Sequence, residues 1–270
     1  MVSFPAAFAG RDAEESGMNE YLKQYIGSLD VAALTRGLVG RIGGWFAENG
    51  PDSPAVIGIS GGKDSTVCAA LCAKALGRDR VVGVMMPNGI QPDIDVSLDV
   101  INCLGIRSAT VNIKGAYDAL EAAVEGSGIR DSLSRQARIN LAPRLRMASL
   151  YALSQTLNGR VSNNGNRSER YVGYMTVWGD TAGDFAPLAG LTVTEVRLVG
   201  RELGVPERFV GRPPSDGLTG LTDEENLGFT YEDLDTYILT GHCPDPEVRE
   251  KIDRMHARNL FKLSSPALLS

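Results

Sequence analysis

An apolar run, Ala55 to Ile59, leads straight into Ser60-Gly61-Gly62-Lys63-Asp64-Ser65. Apolar residues at helical spacing follow it: Val67, Ala70, Leu71 and Ala75. This pattern predicts a buried strand, a tight polar turn and a helix. Gly61 and Gly62 permit a positive φ or a close approach of a ligand to the backbone. The amides of the turn and of the first helical turn face one space, where the macrodipole favours an anion. Ser60 and Ser65 add hydroxyls to that space, and Lys63 adds a cation. The pattern G-x-x-x-x-G-K-[ST] does not fit, because Asp64 follows Lys63. An aspartate inside a phosphate cradle repels the phosphate unless a metal lies between them. The stretch therefore predicts Mg²⁺ bridging Asp64 to a nucleotide. The plain alternative is a strand-to-helix turn with Asp64 and Ser65 as first-turn residues.

The rest of the chain repeats the alternation. A helix over Leu29 to Phe46 stops at Asn49-Gly50-Pro51. After the loop helix come a buried strand (Arg80 to Met86), a helix (Asp93 to Leu104), a strand (Ser108 to Ile113) and a helix (Gly115 to Glu125). That order implies right-handed crossovers and a parallel sheet, with ligands outside the C-terminal strand ends. A long helix is expected over Ser134 to Leu157, kinked or started by Pro143. A short strand, Arg160 to Asn163, runs into a polar turn, Asn163 to Glu169. The Gly- and Asp-rich stretch 179–184 reads as a loop. Capping boxes open helices at Thr192 and Thr222. Shorter helices are expected over Tyr231 to Leu239 and Asp245 to Leu260. Residues 1–28 read as an N-terminal arm and 29–270 as a single domain.

Composition excludes several classes of function. The formal charge is −6, and no Lys/Arg run stands out, so no nucleic-acid surface is expected. No apolar run is long enough for a membrane span. The four cysteines form no C-x-x-C pair. Cys68 and Cys72 lie one helical turn apart and read as packed thiols, which suits a reducing cytoplasm. Two histidines, His242 and His256, are too few and too far apart for a zinc site.

The Ser60–Ser65 stretch resembles the signature of the pyrophosphate-loop ATPases, which cleave ATP between the α and β phosphates. Further motifs narrow the resemblance to the ammonia-dependent NAD⁺ synthetases, over roughly Leu34 to Lys262. They include Pro87-Asn88-Gly89-Ile90-Gln91-Pro92-Asp93, Asn140 to Met147, Asn166-x-Ser168-Glu169, Gly179-Asp180-x-x-Gly183-Asp184, Leu191-Thr192-x-x-Glu195-Val196, Pro214-Ser215, and Thr222-Asp223-Glu224-x-Asn226-Leu227-Gly228. The order and spacing of the series carry the resemblance.

The resemblance implies a three-layer α/β fold, doubly wound around a mainly parallel five-stranded sheet with helices on both faces. It implies an adenylating amidation: the nicotinate carboxylate of deamido-NAD is activated with ATP and then aminated by ammonia. Asp64 and Glu169 resemble the two Mg²⁺ carboxylates. Gly58, Ser60, Gly61, Gly62, Lys63, Ser65, Asn164 and Ser215 stand at ATP-contacting positions. Arg144, Asp184 and Lys262 stand at deamido-NAD positions, with Arg146 as a further candidate. A homodimer is implied as well. The stretch before Pro51 is too short for a glutaminase domain, so free ammonia, or ammonia from a separate subunit, is the expected nitrogen source.

The sequence also departs from that pattern. Asn164 replaces a threonine that contacts ATP. Val177 and Val193 replace lysines, and Phe261 replaces the histidine of a C-terminal His-Lys pair. Arg212 stands near a lysine of the pattern and matches its charge. These changes fit a divergent branch that uses other cations, or an altered acid substrate. Two rival functions remain beside NAD⁺ synthesis: a related adenylating amidotransferase for another carboxylate, and a catalytically silent nucleotide-binding protein.

Overall fold

A computed structural model describes residues 18–212 and 222–264. Four strands form one sheet in the order β3-β2-β1-β4: β1 (Ala55–Gly58), β2 (Val81–Met85), β3 (Arg107–Thr110) and β4 (Arg160–Val161). Every pairing is parallel, with Val56 opposite Val82 and Val161, and Val84 opposite Ala109.

Side-chain alternation along the strands builds two cores. Ala55, Ile57, Val81 and Met85 face one side. There they join α2 (Val31–Asn49), α3 (Lys63–Leu76), α4 (Ile94–Leu104) and α8 (Val193–Glu202) in the main apolar cluster. Val56, Val82, Val84 and Val161 face the other side and pack on Met147 and Leu150 of α6 (Arg135–Thr156). α5 (Lys114–Glu125) lies beside α6 and buries none of its residues. A third cluster joins α7 (Arg167–Val172), α10 (Asp223–Leu227), α11 (Tyr231–Thr240) and α12 (Pro246–Asn259). A short helix, α9 (Glu207–Val210), closes the main cluster through Phe209 and Val210.

The α/β architecture expected from the alternating pattern is borne out, with four strands among the described residues rather than five. Where a fifth would lie, Ser162 and Phe185 make a single parallel bridge. The ladder stops there because Pro187, two residues on, has no N–H to donate. Gly183 permits the approach: a Cβ on it would stand 2.6 Å from the Asn163 amide nitrogen.

Three further details differ from expectation. α6 begins at Arg135 and runs through Pro143, so the proline does not start it. The segment read as a polar turn after β4 contains α7, opened by a capping box between Asn166 and Glu169. The described part of the expected arm is a docked helix, α1 (Glu20–Ser28). It buries Leu22 and packs against α11. Asn19 N donates to Glu232 Oε1 at 2.6 Å, and the Tyr25 hydroxyl donates to Glu195 Oε1 at 2.7 Å.

Phe46 is 1% exposed and stacks edge-on with Trp45 and Phe185. Phe46→Ala is expected to cost about 3–5 kcal/mol in a urea unfolding titration. A loss below about 1 kcal/mol would mean that the main cluster does not depend on this ring.

Candidate active site

The loop joins β1 to α3 at the C-terminal end of the sheet. Gly61 has φ +78, and a Cβ there would meet Val96 Cγ1 at 3.1 Å, so a side chain would be both strained and crowded. Gly62 N donates to Ser60 Oγ at 3.3 Å, and Ser65 Oγ donates to the Gly62 carbonyl at 3.1 Å. Thr66 Oγ1 donates to the same carbonyl at 2.8 Å. These bonds set the loop backbone. No side chain caps α3 at Gly62, nor the starts of α4, α5 and α9, whereas α1, α2, α6, α7, α8, α10, α11 and α12 have side-chain caps. The first-turn amides of α3 are thus left to an external acceptor, with the positive end of the macrodipole behind them.

Lys63 is 2% exposed, and its Nζ meets Asp64 Oδ2 at 2.7 Å. It also stands 5.6 Å from the centre of the Tyr231 ring. Burial opposes its charge, but Asp64 and Glu169 outweigh burial and hold its pKa above the ordinary lysine value. Glu169, on α7, lies close enough to feel Asp64. Burial, and then the Asp64 charge, push the Glu169 carboxyl well above the usual range. Asn166 ties the two carboxylates together: its Nδ2 donates to Asp64 Oδ1 at 3.1 Å, and its N donates to Glu169 Oε2 at 3.3 Å. The structure therefore brings Lys63, Asp64 and Glu169 into one cluster, from the first turns of α3 and α7, which follow β1 and β4.

Two crowded carboxylates beside an uncapped helix end suit a hard divalent cation. Two protein oxygens also suit Mg²⁺, which completes its shell with water and phosphate oxygens. Among the described residues no group of three or more His, Cys, Asp or Glu forms a self-contained metal cage.

The other expected residues are placed less directly. Asn164 sits beside the loop, but its Nδ2 donates to the Gly58 carbonyl at 3.0 Å and its Oδ1 accepts from Ser162 Oγ at 2.9 Å. Arg144 is exposed and donates to the Val177 carbonyl at 3.1 Å. Arg146 is half-buried, bonded to the Met86 carbonyl at 3.0 Å, with its pKa lowered by burial. Asp184 accepts from Val161 N at 2.7 Å and from the Tyr151 hydroxyl at 3.2 Å, so it anchors the end of β4. Lys262 donates to the Gly173 carbonyl at 2.7 Å, behind α7. No hydrogen bond or ion pair joins Arg144, Asp184 and Lys262 to one another. Ser215 lies outside the described residues.

Several site residues escaped the sequence reading. Asn166 was visible only as a motif letter, although its spacing to Glu169 is that of a capping box. Tyr231 is buried against the cluster, and burial followed by Glu169 raises its hydroxyl pKa; no local pattern marks it. Asp235 anchors the Glu169 helix by accepting from Ser168 Oγ, and it accepts from Thr194 N at 2.7 Å. Arg197, on α8, is near enough to Lys63 to oppose its charge, and its Nε is buried without an acceptor.

A parallel sheet with a glycine-rich, uncapped loop-to-helix junction and paired carboxylates defines an α/β nucleotide-binding protein. The sequence profile of the NAD synthase family matches residues 37–266, and the chain belongs to that family. The NH(3)-dependent NAD(+) synthetase of Thermococcus sibiricus is 41% identical over 209 residues, 77% of this chain and 80% of that protein. Its counterpart from Carboxydothermus hydrogenoformans is 37% identical, over 82% of this chain and 92% of the other. Among solved structures, the NMN synthetase of Francisella tularensis superposes with a TM-score of 0.81 at 32% identity, over 89% of this chain and 99% of that one. The NH3-dependent NAD synthetase of Campylobacter jejuni gives 0.71 at 26% identity, over 90% and 100%. The resemblance read from the ordered motifs is thereby borne out.

The crowding of Glu169 has a measurable consequence. Its folded pKa is raised, so ionising it costs stability, and the cost grows as pH climbs past the ordinary glutamate range. Glutamine keeps the capping box and removes the charge. Metal-free Glu169→Gln is expected to unfold about 2–4 °C above wild type near neutral pH, with the gap closing in acid. A midpoint below wild type at every pH, in a calorimetric scan, would contradict the assignment.

Proposed function

We propose that the chain is an ammonia-dependent NAD⁺ synthase, a ligase that amidates the nicotinate carboxylate of deamido-NAD at the expense of ATP. The family match and the named relatives support this reading. The observation that carries it is the meeting of Asp64 and Glu169 beside the uncapped start of α3.

In this reaction a carboxylate oxygen of the acid attacks the α-phosphorus of ATP, and the bond to the β,γ-pyrophosphate breaks. The product is an acyl-adenylate. Ammonia then attacks the acyl carbon, loses a proton, and AMP leaves. The protein positions the reactants and neutralises phosphate charge. The amides of Gly61 and of the first turn of α3 face the leaving pyrophosphate, with the Ser60 and Ser65 hydroxyls beside them. Asp64 and Glu169 hold Mg²⁺, which when bound neutralises charge on the phosphates. Arg144, Asp184 and Lys262, with Arg146, are the residues assigned to the acid substrate, and Ser215 is assigned to ATP. Reduced thiols (Cys68, Cys72, Cys103 and Cys243 are all free) suit work in the cytoplasm.

A second acid deserves a direct comparison. The Francisella protein whose fold superposes so well is an NMN synthetase, and this chain carries Val177 and Phe261 where the resemblance expects a lysine and a histidine. Loss of cations at the dinucleotide end fits an acid without the second nucleotide, nicotinate mononucleotide.

Pyrophosphate release with ATP, Mg²⁺ and ammonium, measured separately with each acid, tests both readings. Faster turnover of deamido-NAD per unit concentration is the expected result. Preference for the mononucleotide would transfer the assignment to that acid, and no acid-dependent release would leave a silent nucleotide binder. Asp64→Asn is expected to lower turnover by about a thousandfold or more while keeping the far-UV spectrum; activity within about tenfold of wild type would remove Asp64 from the metal site.

A homodimer completes the proposal. α5 buries nothing, and Leu120, Val124 and the nearby Ile129 are exposed at 40%, 44% and 85%. A second copy of the chain fits over that face. Sedimentation of Val124→Asp should show a monomer where wild type is a dimer; a dimer unchanged by the substitution would place the interface elsewhere.

A further inference from the structure

Arg212 lies at the rim of the phosphate loop and has no part in the chemistry described above. Its Nη2 meets Asp93 Oδ2 at 2.6 Å, and its Nη1 reaches the Gly61 carbonyl at 3.5 Å. The same Nη1 would stand 3.3 Å from a Cβ on Gly61, so the guanidinium covers the loop at its tightest residue. Asp93 is fixed in turn, because Gln91 Nε2 donates to its Oδ1 at 3.0 Å.

Asp93 occupies the N-cap position of α4, yet its side chain caps nothing. One oxygen is taken by Gln91 and the other by Arg212. A side-chain cap stabilises a helix start, and this aspartate instead holds a guanidinium. The ion pair is half-exposed, with side-chain exposures of 32% and 43%, and such pairs add little stability by themselves. What the arrangement achieves is placement: a permanently charged, planar donor set kept against the loop. Lys63 cannot fill that role in the same way, since its ammonium is buried on Asp64.

We propose that Arg212 contacts the pyrophosphate half of ATP and neutralises charge on it as it leaves, with Asp93 and Gln91 as the residues that position the guanidinium. The inference rests on the reading that this loop holds ATP. A guanidinium presents several N–H groups in one plane, so it keeps Asp93 on one nitrogen while others bond phosphate oxygens.

Calorimetric titration with inorganic pyrophosphate and Mg²⁺ tests the contact without requiring any acid substrate. Wild type, Arg212→Ala, Arg212→Lys and Asp93→Ala are compared, alongside KM for ATP and kcat. Arg212→Ala is expected to weaken pyrophosphate binding about tenfold or more and to raise KM for ATP. Arg212→Lys restores part of that affinity through its charge. Asp93→Ala loses less than Arg212→Ala, because the guanidinium remains. Arg212→Ala binding within about twofold of wild type would overturn the contact, since an exposed ion pair alone accounts for no more. Equal losses in Arg212→Ala and Asp93→Ala would also overturn it, by assigning the effect to the ion pair. Failure of wild type to bind pyrophosphate would do the same. Wild type that binds pyrophosphate but makes no amide would refute the assigned reaction and leave the Arg212 comparison decisive.

Discussion

An ammonium that is 2% exposed must be neutralised where it sits, and the Lys63–Asp64 contact does this at the first turn of α3. Much of the surrounding structure holds that arrangement in place. Asn166 bonds the second oxygen of Asp64 and caps the helix that carries Glu169. Ser168, next to Glu169, is tied to Asp235 on α11, and Asp235 also bonds the start of α8. The Tyr231 ring shields Lys63, and the Tyr231 hydroxyl bonds Asp223 at 3.3 Å. The third apolar cluster, which lies away from the sheet, therefore serves the site. It sets the position of the helix from which one of the two carboxylates projects.

Sheet topology explains why residues a hundred positions apart meet. β1 has β2 on one side and β4 on the other, so the order of strands reverses across it. Crossovers on either side diverge there and leave a crevice outside the strand ends. Asp64 follows β1 and Glu169 follows β4, two neighbouring strands. Their charges are close because the topology permits no other course once both loops open at the same edge. Burial first, and then that proximity, raise the carboxyl of Glu169.

The elements closest to local chemistry were legible from the sequence. Strand alternation, the Gly-Gly turn and the capping boxes at Thr192 and Thr222 all rest on contacts within a few residues, and all appear as expected. α7 was missed because Asn163 to Glu169 is rich in turn formers, although Asn166 and Glu169 have the spacing of a cap. The ends of the sheet were not readable at all. Whether residues after Gly183 extend a ladder depends on Pro187 and on how closely Gly183 can approach Asn163. The docking of α1 depends on Glu232 and Glu195, some two hundred residues away. Contacts of that kind leave no local pattern.

The structure also shows what one departure from the family pattern does physically. Val193 is fully buried and packs in the third cluster with Val172, Leu227 and Leu234. A lysine there would have to leave that core to reach a phosphate, so valine exchanges a cation for packing between α8 and α11. One helical turn later on the same face, Arg197 carries a guanidinium with a buried Nε and no acceptor, near Lys63. Arg212 stands on the loop itself. Two arginines thus stand around the loop, and the charge of arginine survives burial better than that of lysine. The acid end shows no such replacement: Val177 offers only its carbonyl, to Arg144, and Phe261 is 67% exposed.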